Sequence, residues 1–142
     1  MRVFLDTNVI LDYLLKRQPF YEDSKKVFER CLWKLEGCIS PHSLIDIFYM
    51  LSEHTDKGVE YCRNTILKLR TVLAVVPEDD DRVYSAAKND AFADFEDSMQ
   101  AECAITANAD YIITRNEKDF TGSKIPIVTP AEFLALMESA SQ

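Results

Sequence analysis

Asp6 closes the apolar run Val3-Phe4-Leu5, and a helical pattern begins directly behind it. A continuous, partly β-branched run of this kind suits a central parallel strand buried on both faces. In open α/β sheets the ligand crevice lies beyond the carboxyl ends of the strands, so a carboxylate fixed there can meet a metal ion or a substrate. Taken alone, Asp6 is equally well a helix cap or turn acid, and Thr7 or Asn8 can cap the helix that follows. Three other places carry related chemistry. Asp46 interrupts an otherwise apolar helical surface, and a buried carboxylate without a partner, a metal or water is costly; the alternative is that it faces solvent. Asp94 and Asp97 stand three apart at a helix start, a spacing that puts both side chains on one side, although acids there are also ordinary caps. Asn116 follows the run Asp110 to Thr114 as Asp6 follows its own strand. Converged on one crevice, these groups would make an anion-lined site.

The elements that must position them follow from pattern. Helices are expected over about Val9 to Lys16, Tyr21 to Lys34 (ended by Gly37), His42 to His54, Val59 to Thr71, Val83 to Phe92 and Glu96 to Ala107. A last helix opens at Thr129-Pro130-Ala131-Glu132, with proline in its first turn and a box-like acid. The residues after it, rich in Ser and Ala, are expected to fray. Leu44, Ile45, Ile47, Phe48, Met50 and Leu51 cover most of the third helix, which implies deep burial. Strands are expected at Cys38 to Ser40, at Val72 to Val76 as a buried run closed by Pro77, at Asp110 to Thr114, and at Ile125 to Val128. Asp79 to Asp81 read as solvated helix-start acids without chemistry. Strands alternating with helices throughout imply an α/β fold of three layers, with a central parallel sheet of four to five strands between helices.

Length and composition set the bounds. The 142 residues, 47% hydrophobic, fit one domain, residues 1–142, able to bury a sizeable core. Asp6 and Asn8 interrupt the first apolar run, so no signal peptide is expected, and no apolar stretch approaches a membrane span. The expected location is cytoplasmic. Cys31, Cys38, Cys62 and Cys103 lack Cys-x-x-Cys spacing and sit in apolar or helical contexts, as buried reduced thiols do. A net charge of −8 argues against a generic nucleic-acid binder, whose affinity normally comes from Lys and Arg on phosphates. It does not exclude a nuclease, because cations bound by carboxylates invert the local sign.

Four segments in this order resemble the PIN-domain family, metal-dependent ribonucleases that include the VapC-like toxins of bacterial toxin–antitoxin pairs. They are L-D-T-N-V-I-L-D at the start, S-P-H-S-L-I-D-I-F-Y-M-L in the middle, D-F-E-D-S-M-Q-A-E-C-A, and D-Y-I-I-T-R-N-E-K-D-F near the end. The resemblance spans nearly the whole chain. It places the family's first acid on Asp6, its usual helix-three Glu on Asp46, its third acid on Asp97 and its fourth polar position on Asn116. Asp for Glu at 46 implies a water between side chain and metal. Asn for Asp at 116 removes a charge from a second metal site, which Asp94 or Asp119 would have to supply. The implied activity is hydrolysis of RNA phosphodiesters with Mg²⁺ or Mn²⁺ held by Asp6 and Asp97, Asp46 ordering water and Thr114 helping to orient it. Arg115, Lys118 and Arg17 are either phosphate contacts or solvated surface charges. The family further implies an antitoxin protein partner and a homodimer.

Two other classes compete. A phosphoacceptor domain also carries acids at strand ends, but it needs a paired acid cluster after the first strand and a Lys after a late one, where this chain has Arg115 and Asn116. A catalytically degenerate PIN domain acting as an RNA- or protein-binding module is kept open by Asp46 and Asn116. Metal-dependent RNA cleavage separates it from an enzyme.

Overall fold

The computed structural model describes residues 1–142. Its elements are β1 (Arg2–Leu5), α1 (Thr7–Leu14), α2 (Tyr21–Cys31), β2 (Glu36–Ile39), α3 (Pro41–His54), α4 (Gly58–Val72), β3 (Ala74–Val75), α5 (Asp80–Lys88), α6 (Phe95–Thr106), β4 (Tyr111–Ile113), β5 (Ile127–Val128) and α7 (Pro130–Ala140). A short 3₁₀ turn, Glu117–Phe120, lies between β4 and β5. The five strands form one parallel sheet in the order β3-β2-β1-β4-β5. β1 is central, paired through Phe4 with Cys38 on one side and Ile112 on the other.

Side chains alternate across a strand, so each face of β1 feeds a different core. Val3 and Leu5 pack with apolar residues of α1, α2, α3, α4 and α7, whereas Phe4 packs with Ala101, Cys103 and Ala104 of α6 and with Phe92 and Phe120. Val3, Phe4 and Leu5 are fully buried, as expected for a strand sandwiched between helical layers. The chain winds from β1 to β2 and β3 in one direction, then returns past β1 to β4 and β5. The carboxyl ends of β1 and β4 therefore flank the point where strand order reverses, the position of the ligand crevice in such sheets.

Several expected details are corrected. The run Val72 to Val76 is not a buried strand: α4 takes Val72, only Ala74 and Val75 pair, and both are exposed. β3 is the sheet edge, so Leu73 and Val76 alone turn inward. α3 is not deeply buried, since Ser43, Ile47 and Leu51 form its inner stripe while Ile45 and Tyr49 face solvent. α5 stops at Lys88, where Asn89 turns the chain by accepting from the N–H of Ala91, and Phe92 packs edge-on to Phe120 outside any helix. Gly37 lies inside β2 and does not end α2, which stops at Cys31. A Cβ on Gly37 would stand 2.5 Å from Leu73 Cδ2 and 2.8 Å from Cys31 Sγ. α7 runs from Pro130 to Ala140 and contributes Phe133 and Leu134 to the core.

All four cysteines are buried and unpaired. No helix is long and apolar enough to cross a membrane.

Candidate active site at the strand ends

Asp6 leaves β1 with its N–H donating to Ile113 O at 3.0 Å, so the β1–β4 ladder fixes its backbone. It occupies the cap position of α1 in extended conformation, yet its side chain makes no cap bond. Neither Thr7 nor Asn8 caps α1, since both lie at or inside its first turn. The Asp6 carboxylate is turned toward the sheet instead, where Oδ1 accepts from Gln100 Nε2 at 2.9 Å and Oδ2 from Thr114 Oγ1 at 2.7 Å. Both donors are neutral and buried. They orient the carboxylate without cancelling its charge. Thr114 donates its proton to Asp6 and so positions that acid; its Oγ1 also accepts the N–H of Asn116 at 3.0 Å.

The other acids arrive from separate elements. Ser40 caps α3 through Ser43, and Ser43 Oγ lies 2.6 Å from Thr7 Oγ1, a buried hydroxyl cluster joining the starts of α1 and α3. Asp46 stands three residues past Ser43 on α3, half-buried at the rim. Asp94 caps α6, its Oδ1 accepting from Asp97 N at 3.0 Å, so the capping reading holds for it even though it also lines the crevice. Asp97, Glu96 and Gln100 project from the first turns of α6, at the spacing that stacks side chains on one helix face.

Asp6, Asp46, Asp94, Asp97, Asn116 and Asp119 thus line one open cleft of about 420 Å³ together with Glu96, Gln100 and Asn8. Six of its thirteen lining residues are acidic and none is basic. The electrostatic consequence is strong. Burial, then the charges of Asp94, Asp6 and Asp119, push the Asp97 carboxyl up to about 7. Glu96 is pushed up to about 8 by burial, by its hydrogen bond with Asp46, and by the charges of Asp46, Asp94 and Asp97. On its other side lies His42, whose Nδ1 contacts Glu78 at 2.8 Å and whose Nε2 stands 3.6 Å from Glu96 Oε1.

Glu96, Gln100 and Asp12 escape the sequence reading. Glu96 is a first-turn acid in a place where acids are ordinary, and Gln100 shows only as a polar residue among the small residues of α6. Asp12 is wholly buried on α1, one turn past Asn8. Its Oδ2 lies 2.9 Å from Arg115 Nε and its Oδ1 3.6 Å from Arg17 Nη1, ion pairs not aligned well enough to be hydrogen bonds. Burial pushes the Asp12 carboxyl up while Arg115 and Arg17 pull it down. Neither arginine is a free surface charge.

The donor set fits a hard divalent cation. The polar side chains lining the cleft all offer oxygen ligands, and Gln100 Oε1 is a buried oxygen lacking any partner. No three His, Cys, Asp or Glu side chains are close enough to form a ready-made cage. The acids ring the cleft, an arrangement suited to an ion held by one or two carboxylates that keeps most of its water.

The chain matches the PIN domain family model over residues 2–118, and it belongs to that family. Among curated proteins none matches the sequence. Solved structures resemble it in fold. VapBC2 of Rickettsia felis, bound to a promoter DNA fragment, has a chain with a TM-score of 0.68 and 18% identity, covering 91% of this chain and 98% of its own. VapBC-1 of nontypeable Haemophilus influenzae gives 0.68 and 19%, over 92% and 99%. A toxin–antitoxin complex of Klebsiella pneumoniae gives 0.68 and 20%, over 90% and 97%.

Proposed function

We propose that the protein is a divalent-cation-dependent endoribonuclease and the toxin of a toxin–antitoxin pair. The observation that carries this reading is the delivery of acids from β1, α3, α6 and the segment after β4 to one cleft at the strand-order reversal. Such a concentration of like charge is costly unless a cation is bound, as the raised Asp97 and Glu96 carboxyls indicate.

Asp6 and Asp97 would hold Mg²⁺ or Mn²⁺, with Asp94 beside them. When bound, the cation supplies a Lewis acid for the phosphoryl oxygens and lowers the pKa of water. Gln100 and Thr114 keep the Asp6 carboxylate in one orientation, so no reorganisation accompanies substrate binding. Asp46, at the cleft rim, would order the attacking water and take its proton, and Glu96, hydrogen-bonded to Asp46, would return that proton to the leaving sugar oxygen. The water oxygen bonds to phosphorus as the bond from phosphorus to that sugar oxygen breaks. Asn116 faces the same cleft as a neutral oxygen donor. The similar toxin–antitoxin assemblies support an antitoxin partner, a homodimer is part of the same reading, and an RNA substrate together with four unpaired thiols suits the cytoplasm.

The test is cleavage of single-stranded RNA by the purified protein in Mn²⁺, in chelator, and by Asp97→Asn in Mn²⁺. The reading requires cleavage in the first condition only. RNA left intact by the wild type in Mn²⁺ would leave a binding module.

A further inference from the structure

A cleft with six acids and no base has nothing of its own to hold a polyanion beyond the reacting phosphate. Among the cations beside it, Lys118 lies exposed between Asn116 and Asp119, whereas two arginines are held in place. Arg17 donates from Nη1 to Asn8 Oδ1 at 3.4 Å, and Arg115 immediately precedes Asn116; both Asn8 and Asn116 line the cleft. The two guanidiniums share a single counter-charge, Asp12, whose side chain is 1% exposed and has no hydrogen-bond donor on either oxygen. Two positive charges against one negative leave a surplus cation beside a strongly negative site. About a quarter of each arginine side chain remains exposed, at 27% for Arg17 and 26% for Arg115.

The geometry is that of a clamp set in advance. Arg115 directs Nε at Asp12 and lays its guanidinium over Phe20, with Cζ 4.3 Å from the ring centroid. Fixed on one edge and one face, it keeps its terminal nitrogens, which make no bond within the chain, for a planar bidentate acceptor such as a phosphate. A buried acid is a costly way to anchor surface arginines unless their placement matters.

We propose that Arg17 and Arg115, braced by Asp12 and Phe20, form a phosphate-binding subsite for the nucleotide next to the scissile phosphate. The proposal rests on the ribonuclease reading and adds how the substrate is held and in which direction it crosses the cleft. Phe20, partly exposed beside Arg115, offers an aromatic surface to the neighbouring base, as in single-strand binding grooves.

The test is the binding of a fluorescent oligouridylate in Ca²⁺, by anisotropy over a series of salt concentrations, to the wild type, Arg17→Gln, Arg115→Gln and Lys34→Gln. Lys34 precedes β2 at the amino end of the sheet, away from the cleft, and serves as the control. Each arginine variant is expected to bind about tenfold more weakly and to lose about 0.7 from the salt slope, one phosphate contact's share. Lys34→Gln keeps both values. Arg115→Gln strips Asp12 of its nearer partner; if it fails to fold, Arg17→Gln and Arg115→Lys carry the test, the latter keeping charge but losing the planar fork. Unchanged affinity and slope in folded arginine variants of a protein that cleaves RNA would overturn the subsite alone. An arginine-dependent slope without cleavage would overturn the nuclease reading and uphold the arginine pair as a phosphate-binding site.

Discussion

Asp97 and Glu96 show how a site can be charged against its own stability. A carboxyl whose folded pKa is raised holds a proton that the unfolded chain releases, so stability falls as pH climbs from its ordinary value to its folded one. For Asp97 that window runs from 3.8 to about 7, and for Glu96 from 4.5 to about 8. The metal-free protein is expected to melt progressively lower across this range and level off above it. Melting scans in chelator check this, and a Glu96→Gln/Asp97→Asn variant should flatten the decline; equally steep curves would contradict the shared acid pocket. Asn116→Asp adds one more charge to the same rim. It is expected to lower the metal-free melting temperature and enlarge the rise on adding Mn²⁺, because hard cations respond to ligand charge. Identical melting in both states would mean that position 116 does not serve the cation. At this scale Asp6 and Asn116 were legible from strand ends, Asp46 from an interrupted apolar pattern, and Asp97 from its spacing with Asp94 at a helix start. Gln100 and Asp12 were not, since their partners Asp6 and Arg115 lie 94 and 103 positions away in sequence.

Elements were legible where a single local rule acts. The Thr129-Pro130-Ala131-Glu132 start gives a complete capping box, with Thr129 Oγ1 accepting from Glu132 N at 3.2 Å and Glu132 Oε2 from Thr129 N at 2.9 Å. Thr129→Ala is expected to cost about 1 kcal/mol, read as a lower urea midpoint, with RNA cleavage unchanged because α7 gives no side chain to the cleft. An unaltered midpoint would contradict that role. Burial was harder to read than helicity or strand pairing. The apolar residues of Val72 to Val76 divide between a helix end and an edge strand, and those of α3 between the core and the surface, since hydrophobicity alone does not say which neighbour covers a face.

On the scale of the molecule, the −8 net charge argues against affinity for nucleic acid spread over the whole surface, and six acids gather in one cleft bordered by Arg17 and Arg115. The apolar side chains Ile45 and Tyr49 of α3 and Val59 and Leu67 of α4 are exposed on neighbouring helices and offer a surface for self-association. Light scattering is expected to give the mass of two chains; a monomer mass at every concentration would contradict self-association through this surface.

The central claim, that the acid cleft binds the cation on which RNA cleavage depends, is tested most directly by titrating Mn²⁺. Heat of binding and initial cleavage rate are followed in one preparation, alongside Asp6→Asn/Asp97→Asn. The account predicts that the rate saturates with the binding isotherm and that both vanish in the variant. Cleavage independent of Mn²⁺, or binding undiminished in the variant, would contradict it.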